Sequence, residues 1–224
     1  MFDRIAFRYD ILNRIMSFGI DTRWRKRMVR MIREDAPHTM LDVATGTGDM
    51  AILMGRSMPD TSITGVDLSP QMLAVGRKRV ERKKVANVIA MREGDAENLP
   101  FTDRSFGAVT VVYGVRNFGD IPQGLREMYR VLKPGGKIYI QEFGMPEGKV
   151  FGKLFHFYFR RWLPFIGGVV SGEYKAYRYL QNSVEDFPYG DRFAAMLGEA
   201  GFENVSQTRL TQGVSIIYRG EKSR

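Results

Sequence analysis

The sequence predicts an α/β fold: a doubly wound sheet of seven strands, mostly parallel, with an antiparallel last strand. Three observations carry this. An apolar strand, Leu41-Asp-Val-Ala44, runs through Thr45-Gly-Thr-Gly48 into a helix. A second strand ends on a lone carboxylate, Asp67, nineteen residues after Gly48. Apolar strands then alternate with helical stretches as far as Phe143, and the pattern resumes at Asp191. The order strand, glycine turn, helix, strand, carboxylate is how open α/β sheets build an adenosine-binding crevice.

The elements follow in order. Phe2, Ile5, Tyr9, Leu12 and Met16 recur at helical spacing among charged residues, giving a first amphipathic helix. Ser17–Asp21 breaks it, and a second helix carries Trp24, Met28 and Ile32 on one face. Thr39–Ala44 is the first strand, Asp49–Ser57 the helix behind the glycine turn, and Ser62–Val66 the second strand. Ser69-Pro70 starts a helix running to about Lys83, because serine caps and proline fits the first helical turn. Strands are expected over Asn87–Arg92 and Phe106–Tyr113. A helix with Leu125, Met128 and Leu132 inward stops at Lys133-Pro-Gly-Gly136, ahead of a strand over Lys137–Phe143. After a helix over Asp191–Gly201 come strands at Asn204–Leu210 and Gly213–Arg219. In the last of these Val214, Ile216 and Tyr218 alternate as an antiparallel strand requires. A single domain, 1–224, is expected, with a helical cap over 1–36 and an aromatic insertion over 144–190.

The charges around the glycine turn select the ligand. Gly46-Thr-Gly48-Asp-Met-Ala51 also fits the dinucleotide fingerprint, in which a helix N-terminus receives a pyrophosphate. Asp42 and Asp49 flank that pocket, and each like-charge pair would cost about 4 kcal/mol at 4 Å in a partly screened site. A cationic ligand on an adenosine fits better. S-adenosylmethionine, with its sulfonium and ammonium groups, is therefore the expected cofactor, held by Asp42, Gly46, Thr47, Gly48 and Asp67. The plainer alternative makes Asp49 a helix cap and Asp42 a solvated strand end.

Composition narrows the chemistry. The 224 residues contain no cysteine, which excludes disulfides, thiolate nucleophiles, zinc–thiolate sites and a cysteine-dependent RNA methylase mechanism. No histidine or carboxylate spacing suggests a metal, so none is expected. The 34 basic against 25 acidic residues leave a net charge of +9, which favours an anionic partner. Neither a signal peptide nor a membrane-spanning stretch is visible. A cytoplasmic protein is expected, peripheral at the inner face of the cell membrane.

With these landmarks the chain resembles the ubiquinone/menaquinone biosynthesis C-methyltransferases. The matching blocks are Arg8-Tyr-Asp-Ile-Leu-Asn-Arg-Ile-Met-Ser-Phe-Gly19 with Trp24, Asp42–Asp49, and Gly114-Val-Arg-Asn-Phe-Gly-Asp120. Met128–Gly136, Tyr177-Arg-Tyr-Leu-Gln-Asn-Ser183 and Phe187-Pro188 complete them. The resemblance implies a Rossmann-like class I methyltransferase fold. It also implies transfer of a methyl group from S-adenosylmethionine to a ring carbon of a prenylated quinol, foremost demethylmenaquinol to menaquinol, with a ubiquinone-pathway benzoquinol as the alternative. It sets Thr47, Asp67, Asp95 and Ala96 against the cofactor, and Tyr113 where many relatives have a small hydroxylated residue.

Methyl transfer to a quinol carbon needs the conjugated hydroxyl to lose its proton, and the candidates to assist follow the fourth strand. Arg116 stays protonated and suits oxyanion stabilisation, with Asn117 beside it. The structural alternative pairs Arg116 with Asp120 or Glu142. Tyr9, with Asp10, is placed to close over substrate from the cap or else to fill the core. Of the two histidines, only His156 offers itself to acid–base chemistry. The aromatic insertion, with Phe151, Phe155, Phe157, Tyr158, Phe159 and Trp162 among arginines, suggests a prenyl-tail groove resting on anionic lipid. Nucleic acid is not expected as a partner, because an Asn/Asp-Pro-Pro-aromatic block is missing after the fourth strand. An RNA methyltransferase and a non-catalytic cofactor-binding subunit are the rival readings, and self-association is left open.

Overall fold

The computed structural model describes residues 19–146, 148, 150–162 and 174–224. The expected first helix, with Tyr9, and the 163–173 part of the insertion lie outside the described residues.

The first described helix, α1 (Asp21–Glu34), packs its Trp24, Met28 and Ile32 stripe into the core, as the spacing predicts. Each such buried side chain contributes about 1.5–3 kcal/mol relative to exposure. The chain then alternates through β1 (Thr39–Val43), α2 (Asp49–Ser57), β2 (Ser62–Asp67), α3 (Pro70–Arg82) and β3 (Ile89–Glu93). It continues with β4 (Phe106–Val112), a 3-10 turn (Val115–Asn117), α4 (Ile121–Val131) and β5 (Leu132–Phe143). Helix α5 (Phe151–Phe157) passes into a π turn over Tyr158–Trp162. Helices α6 (Tyr174–Asp186) and α7 (Asp191–Glu199) and strands β6 (Glu203–Leu210) and β7 (Ser215–Glu221) close the chain.

The seven strands form one sheet in the order β3-β2-β1-β4-β5-β7-β6. Pairing is parallel from β3 to β5, and β7 runs antiparallel to both of its neighbours. Successive residues of a strand face opposite sides, so the sheet has a core on each face. Met40, Tyr139 and Ile217 join one apolar cluster, whereas Leu41, Ile138, Ile140, Ile216 and Tyr218 join the other.

Local chemistry sets the helix starts. Ser69 Oγ accepts from the Met72 amide at 3.2 Å, with Pro70 opening α3. Asp120 Oδ1 accepts from the Gln123 amide at 2.8 Å at the start of α4.

Among the boundaries that depart from the sequence expectation, three have a visible cause. Leu132 ends no helix but opens β5, pairing with Phe106 before a register shift lets Lys-Pro-Gly-Gly through. Strand β2 runs on to Asp67, because β3 pairs with it to that point. Strand β7 starts at Ser215 rather than Gly213, since Thr211–Gly213 is a 3-10 turn with Thr211 and Gln212 in left-handed backbone. Val214 therefore packs on the opposite core from Ile216 and Tyr218.

Candidate active site

Strand order reverses between β1 and β4, so the loops leaving their carboxyl ends diverge and open a crevice. Ala44 and Tyr113, the residues just past these two strands, both adopt left-handed backbone (φ 52° and 58°). Such conformations cost of order 1–3 kcal/mol each in residues with a side chain and collect at functional sites. The loops touch: a Cβ on Gly114 would meet Ala44 Cβ at 2.6 Å. Gly46 and Gly48 are also left-handed (φ 56° and 80°), which glycine adopts without penalty.

A cavity of about 250 Å³ lies at this edge. Asp42, Gly46, Thr47, Asp67, Asp95, Ala96, Tyr113 and Asn117 all line it, four strand ends being brought together. Gly48 and Arg116 are not among its lining residues. Met50, Leu68, Met72 and Phe118 add apolar wall.

The carboxylates there are held in different ways. Asp67 accepts from the Gly46 amide at 2.8 Å and the Ser69 amide at 2.9 Å, so it ties β2 to the glycine turn. An ionised carboxylate is an acceptor only, which is the chemistry the two hydroxyls of a ribose call for. Asp42 is fully buried and accepts hydroxyl hydrogen bonds from Thr45 (2.6 Å) and Thr110 (2.7 Å). Burial pushes its carboxyl up to about 6, against the opposing pull of those two hydroxyls. Asp95 accepts from the Glu97 amide at 2.9 Å, and Glu97 in turn accepts from Gly119 at 2.6 Å and Asp120 at 3.1 Å, holding the 3-10 turn's exit.

At Asp49 the structure decides against the plainer alternative and adds partners that the sequence does not show. Asp49 is the first helical residue of α2, after a cap at Gly48 that has no side chain, and so it is not the cap. Nor is it an unpaired anion: it bonds Arg79 of α3 and, at 3.4 Å, Arg25 of α1. Asp42 likewise is no solvated strand end. Both aspartates line the cavity, as the sequence reading placed them, but the charge of Asp49 is offset by partners from helices that sequence proximity does not reveal.

Arg116 and Tyr113 are turned inward. The Arg116 side chain is 1% exposed; its Nη1 donates to Glu142 Oε2 and to the Tyr113 carbonyl, both at 2.8 Å. The Tyr113 ring stacks on Phe143 at 4.2 Å, and its hydroxyl accepts from Gln141 at 2.7 Å. Asn117 Oδ1 accepts from the Tyr179 hydroxyl of α6 at 3.1 Å. His156 is half-buried on α5 and does not line the cavity.

Two groups at the cavity escaped the sequence reading. Arg25 carried a signal, a cation one residue past Trp24 on the apolar side of its helix and four past Asp21. Glu97 carried none, since its partners are backbone amides of a later loop.

Residues 1–222 match the family model described as the ubiE/COQ5 methyltransferase family. The chain belongs to that family. Membership makes it an S-adenosylmethionine-dependent methyltransferase, and the donor set fits: paired acceptors at Asp67, a bare-backbone turn and apolar walls. A demethylmenaquinone methyltransferase of Thermotoga maritima is 50% identical over 99% of this chain and 94% of its own length. The Thermus thermophilus enzyme of the same name is 46% identical over 99% of this chain and all of its own. A ubiquinone/menaquinone biosynthesis C-methyltransferase of Geotalea daltonii is 47% identical, covering 99% and 94%. Among solved structures, the [4+2]-cyclase SpnF is similar at TM-score 0.66 and 17% identity, covering 88% of this chain and 80% of that one. The phosphoethanolamine N-methyltransferase 2 of Haemonchus contortus, with S-adenosylmethionine bound, gives 0.63 at 18%, covering 89% and 53%. These last two share the fold alone, and a cyclase beside an N-methyltransferase shows that the fold does not dictate the reaction.

Proposed function

We propose that the protein methylates a ring carbon of a prenylated quinol, converting demethylmenaquinol to menaquinol. The observation that carries this is end-to-end similarity to demethylmenaquinone methyltransferases at 46% and 50% identity. A benzoquinol of the ubiquinone pathway is the second reading, favoured by the equally similar relative whose name covers both quinones.

Bound S-adenosylmethionine supplies an electrophilic methyl group on its sulfonium sulfur. What this chain contributes is alignment, which in such reactions lowers the barrier by roughly 7–11 kcal/mol. Asp67 is assigned to the ribose hydroxyls, Asp95 and Ala96 with Met72 to the base, and Gly46, Thr47 and Gly48 to the turn beneath them. Asp42 supplies negative charge to the cationic end. On the acceptor side, Asn117 lines the cavity, and with Tyr179 donating to its oxygen, its amide N–H groups are left to stabilise the quinol oxyanion. Arg116 is a positioning residue: paired with Glu142 and bonded to the Tyr113 carbonyl, it holds the turn that presents Asn117.

The test is labelled methyl transfer from S-adenosylmethionine to reduced demethylmenaquinone, with a demethylated ubiquinol precursor and bulk RNA as competitors. Label in the naphthoquinol is expected; label confined to RNA overturns the reading. Replacing Arg116 by Ala should leave cofactor affinity nearly intact and lower turnover by at least about tenfold, since alignment is what it supports. Unchanged turnover at saturating quinol removes that role.

Within the same reading the protein meets the membrane that holds its substrate. Val150, Leu154 and Phe157 lie on one face of α5 and are 73%, 64% and 58% exposed. Exposed Lys153, Arg160 and Arg161 flank them, and the outer side of α1 carries exposed Arg23, Lys26, Arg27, Arg30 and Arg33. Apolar residues set among cations suit an anionic bilayer.

A further inference from the structure

The cavity wall contains one cation among its described residues, Arg25, and the steps above give it no task. It comes from α1, and its side chain is only 10% exposed. Its Nη1 donates to Asp21 at 2.7 Å and to Asp49 at 3.4 Å, and its guanidinium stands 5.8 Å from the centroid of the Tyr113 ring. All these bonds use one nitrogen. Among the described residues Nε has no hydrogen-bond partner though it is buried, and Nη2 has none either.

A guanidinium presents five donors in a rigid plane, and its Nε–Nη2 edge is shaped to grip a carboxylate through two parallel bonds. Leaving Nε buried and unspent costs free energy, because that donor has given up water without a replacement. Asp21 and Asp49 fix the side chain from behind, so the edge is oriented before any ligand arrives. The other charged residues lining the cavity are Asp42, Asp49, Asp67, Asp95 and Glu97. The site is therefore acidic with a single basic point, which describes a receptor for a zwitterion more closely than one for a simple cation.

We propose that Arg25 receives the α-carboxylate at the methionyl end of the cofactor. The inference rests on the assignment of this cavity to S-adenosylmethionine. The acids attract the sulfonium and ammonium groups, and Arg25 accounts for the one anionic group such a ligand carries. Clamping that end fixes the methionyl chain, and with it the direction in which the methyl group points.

Calorimetry with S-adenosylhomocysteine and with its analogue lacking the carboxylate tests this without any turnover. The native protein should prefer the carboxylated ligand by roughly 10- to 100-fold, the range of a charge-assisted hydrogen bond. Arg25→Gln should bind the two equally, weakening only the first. Arg25→Lys keeps the charge against Asp21 and Asp49 but lacks the fork, and should retain part of the preference. The proposal falls if the native protein does not distinguish the ligands, or if either variant keeps the full preference. It also falls if Arg25→Gln leaves both affinities intact and raises only the KM for quinol, which would give the arginine to the substrate oxyanion. Should the native protein bind neither ligand, the cavity assignment itself fails. If Arg25→Gln does not fold, the native protein and the Lys variant still decide.

Discussion

At Asp42, burial and hydrogen bonding pull in opposite directions, and burial wins. Its carboxyl titrates near 6, with Thr45, Thr110 and Arg25 restraining the rise and Asp67 adding to it. The folded state thus holds a proton that the unfolded chain releases near 3.8. Between those values stability must fall as pH rises, by up to about 3 kcal/mol at 1.4 kcal/mol per pH unit, and level off above 6. Asp42→Asn should flatten that part of the curve of melting temperature against pH from 4 to 7; an unaltered slope would show another group responsible. A cationic ligand prefers the ionised form, so affinity for S-adenosylmethionine should decline as pH drops through 6 in the native protein but not in Asp42→Asn. The buried Arg116–Glu142 pair behaves differently. Removing one partner strands the other charge, and Glu142→Ala should cost roughly 3–5 kcal/mol in urea unfolding. A loss below about 1 kcal/mol would mean that water reaches Arg116.

Elements were legible in the sequence wherever one local signal fixed them. The Ser69-Pro70 start of α3 and the Trp24–Met28–Ile32 stripe of α1 rest on capping and 3.6-residue periodicity, and both stand as expected. Boundaries set by a partner strand were not legible: Leu132 joins β5 through its pairing with Phe106, and the start of β7 is set by the turn before it. The Asp120 cap is a local device, and Asp120→Ala should lower the stability of the protein by about 1 kcal/mol, read as a shift in urea midpoint. Gly114 couples two elements instead. Gly114→Ala drives a methyl into Ala44 and should cost about 1–3 kcal/mol of overpacking while weakening S-adenosylhomocysteine binding, because both loops border the cavity. Full affinity in that variant would show the loops to be independent.

For the molecule as a whole, the net charge of +9 is spread unevenly. Five cations lie on the outer side of α1, whereas carboxylates gather around the cavity at the strand ends. Among the described residues no helix is long and apolar enough to cross a membrane. Surface attachment through α1 and α5 would bring the protein to a membrane-embedded quinol, with each basic residue near an anionic surface contributing about 1 kcal/mol. Co-sedimentation with phosphatidylglycerol vesicles is therefore expected, diminishing at high salt and on Leu154→Ser with Phe157→Ser. Equal sedimentation with neutral vesicles, or indifference to both changes, would count against the surface.

The sequence by itself determined the alternation of strands and helices, the glycine turn, the carboxylate closing β2 and the family, because each is written in contiguous residues. It also led to the right cofactor, through two aspartates that do line the cavity. Only the tertiary structure decided how those charges are paired: Arg25 and Arg79 reach Asp49 from other helices, Glu142 claims Arg116 from the neighbouring strand, and hydroxyls from β1's loop and β4 enclose Asp42. The reason is physical. Backbone propensity and hydrophobic period act over a few residues, whereas the state of a buried charge depends on whatever the folded chain places within a few ångströms of it.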